Sequence, residues 1–306
     1  MPPPAMEGSV ELGFLGLGQM GSAIAERLQA AGHHLHVYDP SAAALAGFAQ
    51  GGAAACTSAA AVADAAPIVF ACLPNGAVSQ AVAREVAGGR AVRTYVEMST
   101  IGSPALEQVR QTVAARGIDL ADCPISGGPK GARAGTLTVL CAAPPDIRAR
   151  IRPLLEQVGR TIFEMGDRTG QAQLMKLVNN LINAANLATA FEALVLGAKG
   201  GLDPDQMVAM LNVSTGQNSA TLTKVPKAVL TGSFDYGASL ATMVKDVTLG
   251  LQEAEVLGVP LLVHQQSATL WRLAEQQGMG AQDFTSLITL LEGWAGVTVR
   301  SRPQPG

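Results

Sequence analysis

Aromatic side chains are scarce: they make up 4% of the 306 residues, so Ala, Leu and Val must fill any core, which favours closely packed helices. Charge is also sparse, at 15% against 48% hydrophobic residues, with a net charge of −3. No run of Lys or Arg argues for a nucleic-acid partner, and there is no acidic tail. The four cysteines, Cys56, Cys72, Cys123 and Cys141, form no CxxC pair. Three of them fall in or beside predicted buried strands, where a thiol acts as a small apolar group. No uninterrupted apolar run reaches the roughly 18 residues of a membrane-crossing helix. Met1-Pro2-Pro3-Pro4-Ala5 lacks the positive region of a secretory signal. A cytoplasmic protein without a membrane partner is the expectation. Residues 1–9 and 301–306 are rich in Pro, Gly and Ser and are expected to be disordered.

What is present begins with Val10 to Leu15, a short apolar run read as a strand. It leads into Gly16-Leu17-Gly18-Gln19-Met20-Gly21 and then a helical pattern through Ile24 and Leu28. This is GxGxxG between a strand and a helix. Gly16 permits the tight turn, Gly18 lets a pyrophosphate approach the backbone, and Gly21 lets helix and strand pack closely; the helix N-terminus, at Gln19 and Met20, faces the phosphates. The next strand, Leu35 to Tyr38, ends in Asp39, about 20 residues past the glycines, where a carboxylate accepts hydrogen bonds from an adenosine ribose diol. A 2′-phosphate would be repelled there, and Pro40 and Ser41 offer no arginine to receive it, so NAD is favoured over NADP. Asp39 could equally cap the helix that begins near Ala42. His33, His34 and His36 have no partner cluster at ligand spacing; they are read as surface residues, and no metal is expected.

Strands and helices keep alternating. Ile68 to Cys72 precedes the loop Leu73-Pro74, and Tyr95 to Met98 precedes Ser99-Thr100, with Ser103-Pro104 capping the next helix. Gly16, Asp39, Leu73, Pro74 and Thr100 therefore all follow strand C-termini, where open α/β sheets bind ligands. After the strand at Asp119 to Ala121, Ser126-Gly127-Gly128 makes a tight loop of N–H groups and a hydroxyl, a nest for a small anion such as a carboxylate, or an ordinary Gly-rich turn. Beyond Gly166 the strand signals vanish. The expected architecture is an α/β Rossmann-type dinucleotide-binding domain over residues 10–166, followed by an all-α C-terminal domain over 167–300.

That second half opens with a helix from about Gly170 to Gly197, some 42 Å if continuous. Leu174, Leu177, Val178, Leu181, Ala185 and Ala188 form its expected buried stripe, with Lys176, Asn179, Asn180, Asn183 and Asn186 on another face. Lys176 and Asn180 are one turn apart and point the same way.

Four segments together resemble the β-hydroxyacid dehydrogenases of the 3-hydroxyisobutyrate dehydrogenase type: Gly16 to Gly21, Asp122 to Leu137, Gly170 to Asn180, and Lys245-Asp246. Leu73-Pro74 and Met98-Ser99-Thr100-Ile101 also fit, and the likeness spans nearly the whole chain. It implies that Lys176 is the general acid/base, that Asn180 orients substrate, that Ser126, Gly127 and Gly128 hold the substrate carboxylate, and that Leu73, Pro74, Thr100 and Lys245 contact the cofactor. Oxidising an alcohol by hydride transfer needs a group to take the hydroxyl proton, which a lysine can do near neutral pH when desolvation or nearby positive charge lowers its pKa. Two positions depart from the family pattern. Val78 stands where an Asn is common, and Ala238 where an aromatic is, which opens the pocket to a larger or more polar substrate. The polar Ser214 to Ser219 segment either lines a distal pocket or is a solvated loop.

The alternative reading is a semialdehyde reductase of the tartronate or succinic type, using the same residues in reverse. NADPH-preferring members resemble the family with an Asn-Arg pair after the second strand, which Asp39-Pro40 is not. Imine reductases typically lack the lysine and the Ser-Gly-Gly loop, and 6-phosphogluconate dehydrogenase has a much larger helical domain. A non-catalytic NAD-binding protein would be marked by loss of Lys176, which is intact. A homodimer or homotetramer through the apolar helical half is expected.

Overall fold

The computed structural model describes residues 9–301, and its contacts divide the chain into two compact units after Lys176. The last strand ends at Gly166 and the long helix starts at Gln171, but the first turn and a half of that helix belongs to the N-terminal unit, so the division lies ten residues beyond Gly166. The disorder expected at both ends concerns residues mostly outside those described. Ser301 departs from it: its N–H donates to Leu230 O and its hydroxyl to Asp205, which anchors it.

The N-terminal unit runs β1 (Glu11–Leu15), α1 (Gln19–Ala30), β2 (His34–Tyr38), α2 (Ala42–Gln50), β3 (Ala54–Ala55), α3 (Ala59–Ala65), β4 (Ile68–Ala71), α4 (Gly76–Val86), β5 (Thr94–Glu97), α5 (Ser103–Ala114), β6 (Asp119–Asp122), β7 (Ile125–Ser126), α6 (Gly128–Ala134), β8 (Leu137–Ala142), α7 (Pro145–Val158) and β9 (Gly159–Gly166). The sheet order is β3-β2-β1-β4-β5-β6-β8-β7, with β9 on β8. The first six strands are parallel, in the 3-2-1-4-5-6 order of dinucleotide-binding folds. Helices cover both faces, so β4 and, after the exposed Glu11, β1 are buried continuously rather than in alternation. Leu12, Phe14 and Phe70 pack with Ile24, Leu28 and Ile151 on one face. Leu15, Val69 and Tyr95 pack with Val62, Ala83 and Leu106 on the other.

His33 is not a surface residue. It is buried, its Nδ1 accepts from Val10 N–H at 3.3 Å, and its Nε2 donates to Gln157 Oε1 at 2.9 Å. The ring fastens the start of β1 to α7, a partner 124 residues away that local sequence could not reveal.

The long helix is α8 (Gln171–Lys199). The C-terminal unit continues with α9 (Pro204–Leu211), a wide π-type helix (Ala220–Val229), α10 (Leu240–Leu257), α11 (Leu262–Ala274) and α12 (Leu287–Ala295). The π-type helix carries Pro226 and was not legible as a helix; proline removes an N–H donor and crowds the preceding turn, and the wider winding accommodates it. Leu187, Phe191, Val247, Trp271 and Leu287 form the core. Trp271 satisfies its buried indole N–H on Ala184 O at 3.2 Å. Gly250 brings α10 against α8: a Cβ there would lie 2.7 Å from Leu181 Cγ.

The buried face of α8 differs from the expected stripe. Ala172, Gln173, Lys176, Leu177, Asn180, Leu181, Ala184 and Leu187 are buried, while Val178 is exposed and Leu174 half-buried. Leu177, Leu181 and Ala188 of the expected stripe are buried, but Lys176 and Asn180 are buried beside them rather than on a separate polar face, because polar side chains with partners can be buried.

Candidate functional site

Each glycine of the first loop answers a different constraint. Gly16 has φ 89° and lies against the loop after β4, where a Cβ would come within 2.3 Å of Cys72 O. Gly21 seats α1 on β1: a Cβ would lie 1.9 Å from Gly16 O. A Cβ at Gly18 would meet nothing within 4 Å. The chain is thus open at the one glycine where a pyrophosphate must approach the backbone. No side chain caps α1, so the N–H groups of its first turn, including Gln19 and Met20, suit an anion. These residues fit a dinucleotide.

Asp39 follows β2 and is tied to that loop. Its Oδ2 accepts from Leu17 N–H at 2.7 Å and its Oδ1 from Ser41 N–H at 2.8 Å. It is not the cap of α2; Ser41 is, accepting from Ala44 N–H. A carboxylate has further lone pairs, which ribose hydroxyls could use. Since β2, β1, β4 and β5 are adjacent and parallel, Asp39, Gly16, Leu73, Pro74 and Thr100 lie along one edge of the sheet.

Two of these loops meet at Ser99. Its hydroxyl accepts from Leu73 N–H at 2.7 Å, and its own N–H donates to Glu97 Oε1 at 3.0 Å. Glu97 ends β5 and is fully buried; burial pushes its carboxyl up to about 7, against hydrogen bonds from Ser99, and the charge of Asp122 adds to the rise. Asp122 ends β6, directly opposite Glu97 in the parallel register. Its Oδ2 accepts from the N–H groups of Gly170, Ala172 and Gln173 at 2.8, 3.2 and 3.2 Å, and its Oδ1 from Gln173 Nε2 at 2.9 Å. Burial pushes Asp122 up to about 6 even so. It is the anion at the positive end of α8, and three donors that no helical carbonyl could serve are satisfied by it.

Ser126, Gly127 and Gly128 connect β7 to α6. Gly127 and Gly128 have φ of 132° and 65°, a left-handed path that favours glycine. Ser126 is half-buried beside them. Ser103 starts α5 rather than capping it: Gly102, with φ 80°, is the cap, and the Ser103 hydroxyl donates to Gly170 O at 3.1 Å.

Lys176 and Asn180 share the buried face of α8, each with 8% of its surface exposed. In the C-terminal unit Asn180 Nδ2 donates to Asp246 Oδ2 at 2.6 Å, and Lys245 Nζ lies 3.1 Å from Asp246 Oδ1. Asp246 therefore orients both Asn180 and Lys245. Ser214 to Gln217 are exposed, and Asn218 Oδ1 accepts from the N–H groups of Ala220 and Thr221 at the start of the π-type helix. Glu97 was not singled out from sequence, and Ser99, Gln173 and Asp246 stood in the matching segments without a role of their own. The one available signal was a glutamate closing the apolar run Tyr95-Val96-Glu97-Met98.

Residues 11–166 match the model of the NAD-binding domain of 6-phosphogluconate dehydrogenase, and residues 170–291 that of the NAD-binding domain of NADP-dependent 3-hydroxyisobutyrate dehydrogenase. The chain is 34% identical to 2-(hydroxymethyl)glutarate dehydrogenase of Eubacterium barkeri, covering 96% of this chain and 99% of the relative. It is 33% identical to 3-hydroxyisobutyrate dehydrogenase of Pseudomonas aeruginosa, covering 92% and 99%. The solved structure of Mycobacterium tuberculosis 3-hydroxyisobutyrate dehydrogenase with L-serine superposes with a TM-score of 0.86 at 29% identity, covering 93% and 99%.

Proposed function

This chain belongs to the 3-hydroxyisobutyrate dehydrogenase-like β-hydroxyacid dehydrogenases, and on that premise we propose that it oxidises a small, polar β-hydroxyacid with NAD, using Lys176 as general acid/base. It is an NAD(P)-dependent oxidoreductase acting on CH–OH groups. The observation that carries the finer reading is a lysine with 8% of its surface exposed, on the same helix face as a carboxamide one turn later. A bound nicotinamide cofactor would supply the acceptor for the hydride lost by the alcohol carbon.

Lys176 takes the hydroxyl proton on its Nζ as the carbonyl forms, and in its cationic form steadies the developing alkoxide. The N–H groups around Gly127 and Gly128, with the Ser126 hydroxyl, hold the substrate carboxylate. Asn180, fixed by Asp246, orients the hydroxyl. Asp39 serves the adenosine ribose, and its negative charge disfavours a 2′-phosphate. By the family likeness Leu73, Pro74 and Thr100 would hold the cofactor, and Lys245 would contribute a further contact to it.

The preference for a polar substrate rests on Ala238 and the Ser214 to Ser219 segment; the relative 2-(hydroxymethyl)glutarate dehydrogenase and the L-serine in the Mycobacterium tuberculosis structure favour it, whereas the names 3-hydroxyisobutyrate dehydrogenase of two relatives favour the less polar substrate. The test is NADH or NADPH formation with a panel of 3-hydroxyisobutyrate, 3-hydroxypropionate, serine, glycerate, threonate and 4-hydroxybutyrate. An NAD-dependent rate greatest on a polar member supports the reading. Preference for NADP overturns the role of Asp39, and 3-hydroxyisobutyrate as best substrate overturns the polar pocket. Turnover only of semialdehydes with reduced cofactor would establish the same residues working as a reductase.

A further inference from the structure

We propose that Gln173 is a positioning residue for the reaction: clamped by Asp122, it fixes the Lys176 turn of α8 against the loop that carries Thr100. This rests on the assignment of Lys176 as general acid/base.

The argument begins with the carboxamide itself. A glutamine amide has two donor hydrogens and one acceptor oxygen with two lone pairs, and all four are used here. Nε2 donates to Ser99 O at 3.0 Å and to Asp122 Oδ1 at 2.9 Å. Oε1 accepts from Ile101 N–H at 2.9 Å and Gly102 N–H at 3.1 Å. The group is completely buried, and both nitrogen partners are acceptors while both oxygen partners are donors, so only one orientation of the amide satisfies the site. Three of those partners are the backbone on either side of Thr100. A fourth tie runs in parallel, from the Ser103 hydroxyl to Gly170 O.

The other end of the clamp is the helix. Asp122 binds the Gln173 side chain with one oxygen and the N–H groups of Gly170, Ala172 and Gln173 with the other. Gln173 and Lys176 stand at i and i+3, neighbours on one buried face. Ser99, at the far side, also accepts from Leu73 N–H. Gln173 thus joins the loop after β5 to the turn that presents the lysine, and the Ser99 hydroxyl extends the tie to the loop after β4. Hydride transfer and proton transfer must occur with donor, acceptor and base in register, and small displacements of such groups cost large factors in rate. An amide with no alternative arrangement is suited to hold that register.

The experiment is a double-mutant cycle with Gln173→Met and Lys176→Ala on the full-length protein, reading kcat, KM and NADH affinity on the best hydroxyacid. Gln173→Met should lower kcat by about tenfold or more while leaving KM and NADH affinity within about threefold. In the Lys176→Ala background the same change should alter the residual rate by less than about twofold, because the group it positions is gone. Equal loss in both backgrounds would make Gln173 a structural residue only and overturn the inference, as would a Gln173→Met enzyme with undiminished kcat. If Gln173→Met fails to melt cooperatively, Gln173→Asn, which keeps the uncharged amide but shortens its reach, takes its place in the same cycle with the same two readings. Near-normal kcat in Lys176→Ala alone would instead remove the acid/base assignment, a separate result from additivity.

Discussion

A side chain or its absence acts at this site through what lies within a few ångströms of it, and the loop glycines separate binding from folding. Gly21 has Gly16 O 1.9 Å from its would-be Cβ, whereas Gly18 has nothing within 4 Å and an extended backbone open to any residue. Gly18→Ala should therefore leave the melting temperature within a few degrees of wild type and weaken NADH binding by about tenfold or more. Gly21→Ala should lower the melting temperature distinctly as well. Thermal melts paired with NADH fluorescence titrations decide it; an Ala at Gly18 that binds NADH normally would mean the cofactor does not approach there. The glycine spacing and Asp39 were legible from sequence because their constraints are local. The tie from Asp39 to Leu17 N–H was not, since it spans 22 residues of intervening helix and strand.

Between elements, the buried carboxylates are the main unexpected feature. Glu97 and Asp122 end adjacent strands, and burial raises both, to about 7 and about 6. A carboxyl whose folded pKa is raised binds its proton more tightly folded than unfolded. Its stabilising contribution is complete below the unfolded value and is lost as pH rises to the folded one. For Glu97 that window runs from its ordinary 4.5 to about 7, worth about 3 kcal/mol at roughly 1.4 kcal/mol per unit. The melting temperature should fall as pH rises from 5 to 8 by more in wild type than in Glu97→Gln, which keeps an acceptor for Ser99 N–H. Equal slopes in the two proteins would contradict this. At this scale the sequence was half legible. Strand and helix order followed from alternation and turn chemistry, but the face of α8 followed only in part: Leu177 and Leu181 are buried as expected, yet Lys176 and Asn180 are buried alongside them and Val178 faces outward. Partners such as Asp246 for Asn180, 66 residues away, decide that face, and spacing along the helix says nothing of them.

For the molecule as a whole, the exposed apolar surface is concentrated in the helical half. Met175, Val178 and Ile182 on α8 are 41%, 39% and 52% exposed, and Val256, Val259, Leu262 and Val263 around the turn from α10 to α11 are between 50% and 72% exposed. Runs of this kind mark surfaces that bury against another chain. We expect a homodimer or homotetramer, and light scattering coupled to gel filtration at micromolar concentration should show a species at twice or four times the 31.3 kDa chain mass. A single 31.3 kDa species would contradict self-association. The apolar composition was plain in the sequence, and which residues face outward was not.

The most direct measurement is the steady-state rate of Lys176→Ala on the best β-hydroxyacid, alongside its NADH affinity and substrate KM. The account predicts a kcat lowered by at least about a hundredfold, the scale of a positioned acid/base, with cofactor and substrate still bound. A variant that binds both and keeps most of the wild-type kcat would mean that the proton moves through another group, and the central assignment would be wrong.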